Sequence, residues 1–180
     1  MSLPRPAPPA TLVIGMLLRR RGEFPAVAAE LAERFGSFIL VSPWMDFDYT
    51  SYYTAEMGAP LSRRVLAFER LVVQEALPEI KLAACALEAR RSRDGRRTVN
   101  LDPGLIVPER FVLATGKPAA HRIYLGSGIY ADLALIYREG GFRALPWTYP
   151  DYAAEPLRGF LEAVRARYLF DRKEAAWSAA

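Results

Sequence analysis

The feature of this sequence that most constrains the fold is an uninterrupted apolar run, TLVIGMLL, at residues 11–18. A continuous apolar run of this kind, containing β-branched residues, is typical of a strand that is buried on both faces. Such a strand lies in the interior of a sheet rather than at its edge. The run therefore predicts a central strand near the start of the chain.

A helix and a second strand are predicted directly after this run. Apolar residues recur at helical spacing from Phe24 to Phe35, and Gly36 supplies a stop signal. Residues 38–41 then form a short apolar strand. The order strand, helix, strand is that of a βαβ-like unit, in which we expect the two strands to pair in parallel.

Three further helices are predicted from apolar residues at helical spacing. Residues 61–76 are interpreted as an amphipathic helix, which Pro78 is expected to break or kink. A second helix follows with its apolar face in residues 80–87. The last helix carries a core-facing apolar stripe in residues 157–168.

The second half of the chain also holds several strand signals. Residues 98–102 alternate in polarity and predict a strand, and the sequence DPG at residues 102–104 is expected to end it in a tight turn. Residues 108–115 fit either a short helix or a strand. Residues 121–125 and 129–137 predict a β-hairpin around a Gly-Ser-Gly turn.

Together these elements predict one domain of the α/β or α+β class. We expect a mixed sheet that opens with the βαβ-like unit, is completed by an antiparallel hairpin, and is flanked by about four helices. Residues 1–10 hold four prolines and are predicted to form a flexible arm, with a single globular domain at residues 11–175. A content of 52% hydrophobic and 24% charged residues is that of a globular rather than a disordered chain.

Cysteine usage and hydropathy indicate where the protein functions. The chain holds one cysteine, Cys85, which excludes an internal disulfide and makes a reducing cytoplasm the expected location. Cys85 lies in the helical apolar segment LAACALEA, where we expect a buried, unreactive thiol. No apolar run approaches the roughly 18 residues of a membrane span, so no membrane association is expected.

The candidate catalytic residues lie in the stretch 98–132, where ionisable and apolar residues are interleaved. Asp102 and Asp132 are on the polar faces of predicted strands, and the chain's one histidine, His121, begins another strand. Two carboxylates and a histidine suit general acid–base catalysis or a divalent cation such as magnesium. The alternative is structural, with Asp102 capping its own turn and Asp132 paired with Arg122. His121 is then a hydrogen-bonded structural residue.

Candidate ligand-binding residues accompany this cluster. Lys117 and Arg122 supply the positive charge that a phosphate or carboxylate ligand requires. Asn100 and Tyr130 share the polar strand faces with the two aspartates, so we expect them to contact the same ligand. The leading hypothesis is an enzyme or ligand-binding protein that acts on a small anionic metabolite, such as a phosphorylated compound or a nucleotide, with a metal ion as an optional cofactor.

Two aromatic and acidic segments without clean periodicity, residues 42–58 and 145–152, are predicted to lie over the same site. The first holds Asp46 and Asp48, which we expect to contact the ligand because loops at strand ends commonly form sites. The alternative is an aromatic lid on the core with solvated carboxylates. The aromatic residues expected to share one pocket are Tyr49, Tyr52, Trp147, Tyr149 and Tyr152.

An arginine-rich segment, RRSRDGRR at residues 90–97, surrounds an Asp-Gly turn signal. A basic turn of this kind contacts nucleic-acid phosphates in some proteins, which gives a second hypothesis, a nucleic-acid-binding module that uses Arg90 to Arg97. Such runs are also typical of solvated loops, and no aromatic residue is interleaved with this one. A third hypothesis is a structural or partner-binding protein whose aromatic segments form an interface.

Common cofactor motifs do not fit the sequence. A Walker A loop needs a glycine where Phe111 stands and a serine or threonine where Pro118 follows the Gly-Lys pair. The GSG sequence at residues 126–128 lacks the third glycine of a dinucleotide fingerprint and lies between strands. One cysteine and one histidine are too few for a Cys/His zinc site.

Four segments carry a resemblance to a known family: NLDPG at residues 100–104, LATGK at 113–117, HRIYLGSGIYAD at 121–132 and PWTYPDY at 146–152. With the opening strand and the segment PWMDFDYTSYYTAEMG, they make the chain resemble a bacterial and archaeal family called domain of unknown function 4416. The resemblance covers nearly the whole chain and implies a single-domain cytoplasmic protein. Members sometimes carry a GTP-binding label, so a GTP-binding protein without a P-loop is a further alternative.

Overall fold

The computed structural model describes residues 3–178, with side chains described through residue 174, so Met1 and Ser2 of the predicted arm lie outside the described residues. The strands are β1 Ala10–Leu18, β2 Phe38–Val41, β3 Met45–Phe47, β4 Leu61–Val72, β5 Val99–Val107, β6 Arg110–Thr115, β7 Arg122–Gly126, β8 Ile129–Arg138 and β9 Gly141–Ala144. The helices are α1 Phe24–Phe35, α2 Thr54–Met57, α3 Leu77–Arg90, α4 Pro150–Ala153 and α5 Glu155–Ser178.

The strands form one sheet, and every strand pair among the described residues is antiparallel. The sheet order is β2-β4-β1-β5-β6-β8-β7, while β3 pairs with β4 and β9 pairs with β8. β1 lies between β4 and β5, and all of its 9 residues are buried. The predicted central strand is therefore confirmed, as is the hairpin, which β7 and β8 form.

The predicted parallel pairing within the opening unit is wrong, so the sheet is antiparallel instead of mixed. β2 pairs with β4 and not with β1. β4 lies between these two strands and runs antiparallel to both. β4 itself comes from the segment that the pattern assigned to an amphipathic helix. Its apolar residues also fit one helical face, but pairing on both sides buries an extended chain there, and this tertiary gain outweighs the local pattern.

The turn expected at residues 102–104 is also absent, because β5 continues through it. Gly104 lies in the middle of the strand for a steric reason. The Phe111 ring and the Val112 carbonyl oxygen of β6 each lie 2.7 Å from the place where a Cβ would be. Close approach of β6 thus explains this glycine, and residues 108–115 adopt the strand alternative.

Helices cover both faces of the sheet and form two main cores. On one face, α1 and α3 pack through residues such as Leu31 and Leu87. On the other face, α5 packs through Leu157, Leu161 and Val164, which confirms the predicted stripe. The result is a single α+β domain, as predicted. Within residues 3–178, no helix has both the length and the apolar character that crossing a membrane requires.

The proline-rich arm has no helix or strand from residue 3 to residue 9. The end of the arm next to β1 is attached to the domain. The Pro8 carbonyl oxygen accepts a hydrogen bond from Gln74, and the Pro9 carbonyl oxygen accepts one from Tyr168. The flexibility of the arm stays a prediction.

The packing at Gly104 gives a first testable prediction. Gly104→Ala is expected to lower the free energy of unfolding by about 1–3 kcal/mol, because the added methyl group would overlap a ring and a main-chain oxygen. Urea denaturation measures this change. The control Gly22→Ala adds a Cβ with no neighbour within 4 Å and should change stability by less than about 0.5 kcal/mol. An equally small effect of Gly104→Ala would contradict the close contact of β5 with β6.

Candidate functional site

A cavity of about 650 Å³ lies beside the central strands of the sheet. Its buried, charged floor is formed by β4, β5 and α3, and its exposed mouth lies around Lys117 and Tyr52. One wall is aromatic and comes from β3, the loop after it, and the segment that includes α4. The residues of this wall are Phe47, Tyr49, Tyr52, Tyr53, Tyr149 and Tyr152.

Arg63 of β4 is the central cation of the floor, with only 4% of its side chain exposed. Its Nη1 donates to Asp102 Oδ2 at 3.1 Å and to the Tyr152 hydroxyl at 3.3 Å. Its Nε lies 2.7 Å from Asp151 Oδ2, in an ion pair without the alignment of a hydrogen bond. Burial alone would lower the pKa of Arg63, but these oxygen partners outweigh burial and raise it. The guanidinium therefore stays charged although it is buried.

A chain of hydrogen bonds links this cation to a second arginine. Asp102 Oδ1 accepts a hydrogen bond from Asn100 Nδ2 at 2.9 Å, and Asn100 Oδ1 accepts one from Arg97 Nη1 at 2.8 Å. Arg97 in turn donates to both oxygens of Glu56, each at 2.7 Å. The side chains of Asn100 and Asp102 are thus fixed from both sides, which holds the floor in one geometry.

α3 contributes three groups to the floor and is held to the main chain of β5. Lys81 Nζ donates to the Leu101 carbonyl oxygen at 2.8 Å, and Glu88 accepts a hydrogen bond from the Leu101 N–H. Burial raises the pKa of Glu88. Cys85 is half-buried and lines the cavity, so the prediction of a buried thiol is wrong. Burial nevertheless raises the pKa of its thiol, which keeps it protonated and weakly nucleophilic.

At the mouth, Lys117 and Arg122 have different environments. Lys117 Nζ donates to the Tyr52 hydroxyl at 2.6 Å, and both side chains are exposed. Arg122 does not line the cavity. Its Nε donates to Asp132 Oδ2 at 2.9 Å, and its Nη2 donates to the Tyr149 hydroxyl at 2.7 Å. The alternative in which Asp132 pairs with Arg122 is therefore confirmed.

His121 lies outside the lining of the cavity, although Asp102 and Asp132 are both part of it. The imidazole stacks on Trp147, with ring centroids 4.9 Å apart and an angle of 14° between the planes. Its buried Nε2 lies 3.6 Å from Asp132 Oδ2, which is longer than a hydrogen bond. The three residues chosen as a catalytic set are thus not arranged around one space, because stacking on Trp147 holds the imidazole behind Asp132.

The remaining candidate residues divide in the same way. Asn100 lines the cavity, whereas Tyr130 contacts Tyr124 of the neighbouring strand. Asp46 is exposed and forms an ion pair with Arg21, and Asp48 is exposed outside the lining. Tyr130 thus packs on a neighbouring strand, while Asp46 and Asp48 are exposed to solvent, and none of the three lines the cavity.

The shared aromatic pocket is confirmed for four of its five predicted residues. The segment before α2 and the segment that includes α4 both contribute tyrosines to the cavity, and only Trp147 of the predicted set is outside it. Trp147 instead donates its indole N–H to the Leu133 carbonyl oxygen at 2.9 Å. Burial raises the pKa of Tyr53 and of Tyr152, so both phenols remain neutral hydrogen-bonding groups.

Sequence reasoning missed most of the charged floor. Arg63 lies in a segment whose pattern predicts a helix, and Arg97 lies in a run that is typical of a solvated or nucleic-acid-binding loop. Asp151 belongs to a segment whose aromatic residues give the clearer signal. The one available signal was the pair Lys81 and Glu88, which share a face of α3 at a spacing of two turns among apolar residues.

The carboxylates of the site are committed to cations and main-chain groups. Among the described residues, no group of three or more His, Cys, Asp or Glu side chains is placed to hold a metal ion. Asp102 and Asp132 each hold a guanidinium instead. For the optional magnesium ion of the sequence hypothesis, the described residues offer no ready set of ligands here.

The fold and the site define a class: a single-domain α+β protein whose antiparallel sheet carries a ligand-sized cavity with a charged floor and a tyrosine wall. A family model described as Domain of unknown function (DUF4416) matches residues 8–168, so the chain belongs to this family. The resemblance that the sequence motifs carried is thereby confirmed. No curated protein and no solved structure matches the chain.

The buried cation gives a second prediction. Arg63→Met is expected to lower the free energy of unfolding by about 3–5 kcal/mol, because Asp102 and Asp151 would lose their common partner in a buried site. The control is Arg143→Met, which removes an exposed ion pair with Glu139 and should have little effect. Chemical denaturation of both variants measures the difference. Similar small losses in both would show that Arg63 does not neutralise the floor.

A third prediction concerns pH, because Glu88 and Glu56 have pKa values displaced in opposite directions. Burial raises the pKa of Glu88 above 4.5, so its stabilising contribution is present below pH 4.5 and is lost as the pH rises through the raised value. Hydrogen bonding to Arg97 lowers the pKa of Glu56 below 4.5, so its contribution is present above pH 4.5 and is lost as the pH falls.

The measurement is the free energy of unfolding against pH for the wild type, Glu88→Gln and Glu56→Gln. The wild type should lose stability relative to Glu88→Gln as the pH rises above 4.5. It should lose stability relative to Glu56→Gln as the pH falls below 4.5. If the stability of the wild type changed in the same direction relative to both variants as the pH rose, the assigned environments of Glu88 and Glu56 would be contradicted.

Proposed function

We propose that the protein is an enzyme or ligand-binding protein that takes a small anionic metabolite into the cavity. The volume of about 650 Å³ lies within the range of roughly 300–1,000 Å³ that is typical of small-molecule sites. An aromatic wall with a few convergent polar groups is also typical of such sites. The cavity therefore suits a ligand of the size of a nucleotide or a sugar phosphate.

The observation that carries this proposal is the uncompensated charge of Lys117 at the mouth. Its ammonium lies 2.6 Å from the Tyr52 hydroxyl and 3.8 Å from the centroid of the same ring. Among the described residues, no carboxylate forms an ion pair with it. A phenol is neutral, so the ammonium retains both charge and hydrogen-bonding capacity for a phosphate or carboxylate group.

The floor favours hydrogen-bond donors at the opposite end of the ligand. The Asp102 side chain is 23% exposed, and each of its oxygens accepts one hydrogen bond from the protein. A carboxylate oxygen has room for a second hydrogen bond. A ligand with N–H or O–H groups at one end and an anionic group at the other would therefore be oriented between Asp102 and Lys117, with its ring against the tyrosines.

An acid–base step on such a ligand would use Asp102. Its carboxylate is open to the cavity, whereas the Asp132 side chain is 2% exposed and is held by Arg122. A GTP-binding protein without a P-loop is the same proposal with a guanine nucleotide as the ligand, and it is supported by the cavity volume and the tyrosine wall. A cytoplasmic location, expected from the single cysteine, is part of the proposal.

The nucleic-acid hypothesis for residues 90–97 receives less support from the geometry. Arg91 is bound to Glu30, and Arg97 is bound to Glu56 and Glu88. These arginines face the protein's own carboxylates, so they do not form a free basic surface with the rest of the run.

The fourth prediction tests the proposed function. A thermal-shift screen of nucleotides, sugar phosphates and carboxylates, with titration calorimetry of any hit, should identify a stabilising anion. Lys117→Ala is expected to weaken its binding by about tenfold or more, because a charge-assisted hydrogen bond to the anion is lost. Asp102→Asn should also weaken it, because a carboxylate that accepts from the ligand becomes an amide.

The matched control is Lys173→Ala, which removes the same charge from an exposed position on α5. It should leave both the binding and the melting temperature of the free protein unchanged. Equal weakening of binding in both lysine variants would show that binding depends on the net charge of the protein and not on Lys117. The proposal would fail if no anion shifted the melting temperature and Lys117→Ala behaved as the wild type throughout.

A further inference from the structure

A second concave region borders Arg97 on a different side from the cavity. This arginine depression, of about 230 Å³, is lined by the residues that follow β1, by α2 with Gly58, and by the arginine-rich turn before β5. Its four outer arginines are Arg19, Arg20, Arg93 and Arg96. None of the four lines the cavity, so the depression is a separate site.

The arginine depression carries an excess of positive charge. The four outer arginines are exposed, and within residues 3–178 none of them pairs with a carboxylate. The acidic residues of the lining are Glu23 and Glu56, and Arg97 already binds both oxygens of Glu56. Among the described residues Glu23 forms no ion pair, so four unpaired guanidinium groups share the depression with one unpaired carboxylate, and an excess of positive charge remains.

Two of these arginines are directly opposed residues of one hairpin. Arg93 and Arg96 exchange both main-chain hydrogen bonds, at 2.8 and 2.9 Å, across a two-residue turn. Asp94 and Gly95 adopt φ values of 50° and 71° in that turn, which an Asp-Gly sequence favours. Directly opposed residues of a hairpin carry their side chains on one side of the ribbon, where like charges repel. An anion between them would remove this repulsion.

Arg19 contributes to the depression from the segment that follows β1, beside Gly58. Atoms of its guanidinium lie 3.1 Å from the place where a Cβ of Gly58 would be. Gly58 ends α2 with a φ of 78°, a conformation that disfavours other residues. The absence of a side chain there lets the guanidinium lie close to the main chain.

We propose that the arginine depression binds a phosphate or diphosphate group of a small molecule. Guanidinium groups match phosphate oxygens in pairs of hydrogen bonds, and four free ones converge here. Among the side chains that the structure describes, no aromatic residue lines the depression, so it lacks the stacking surfaces by which proteins hold the bases of single-stranded nucleic acids. This site is independent of the ligand proposed for the cavity.

Titration calorimetry with pyrophosphate at constant ionic strength tests the proposal. Arg93→Gln/Arg96→Gln should weaken pyrophosphate binding by about tenfold or more. The control Arg34→Gln/Arg70→Gln removes the same charge from exposed positions outside the depression and should bind as the wild type does. Both pairs are on the surface, so circular dichroism should show unchanged folding. Equal weakening in both pairs, or no binding by the wild type, overturns the proposal.

Two further measurements separate this site from its competitors. Lys117→Ala should keep pyrophosphate binding, since the cavity mouth is not the proposed site. Loss of binding in Lys117→Ala, with retention in the Arg93/Arg96 variant, would place the phosphate at the mouth and overturn the proposal. A single-stranded oligonucleotide that binds the wild type more than about tenfold tighter than pyrophosphate at the same salt would identify a nucleic-acid partner and also overturn it.

Discussion

The burial of one guanidinium is the constraint on which the site depends. A buried charge is tolerated only with polar partners. Arg63 of β4 therefore contacts Asp102 of β5 and both Asp151 and Tyr152 of α4. β1 takes part through Gly15, since a Cβ there would lie 2.6 Å from the Tyr152 hydroxyl and 2.7 Å from Arg63 Nη1. One cation therefore fixes three strands and a helix around the floor of the cavity.

The same requirement for neutralisation separates the floor from the mouth. In the floor, Arg63 and Arg97 pair with carboxylates and Lys81 donates to a main-chain oxygen, because a buried charge without polar partners would be costly. Lys117 is exposed, and a phenolic hydroxyl is its partner, because water can solvate the rest of its charge. The charge that remains available to a ligand is thus at the entrance, and the available acceptor, Asp102, is inside. This polarity is what gives the cavity a preferred ligand orientation.

The arginine-rich turn shows how far a sequence pattern reaches. The letters RRSRDGRR predicted a basic turn, and the Asp-Gly hairpin is indeed there. They did not indicate that Arg91 and Arg97 would bind carboxylates from distant segments while Arg93 and Arg96 remain free. A charge becomes paired or available according to which acidic side chain the fold brings within reach, and the sequence does not display that distance.

Local signals in the sequence were sufficient to predict the buried run of β1, the hairpin of β7 and β8, and the membership of the family. Sequence patterns also located Asn100, Asp102 and four of the five tyrosines that line the cavity among the described residues, all but Tyr53. That β4 is a strand, and that Arg63 forms an ion pair with Asp151 from a distant part of the chain, depends on tertiary contacts. Periodicity reports which face of a segment is apolar, whereas strand pairing and ion pairing are set by the free energy of contacts between segments, which exist only after folding.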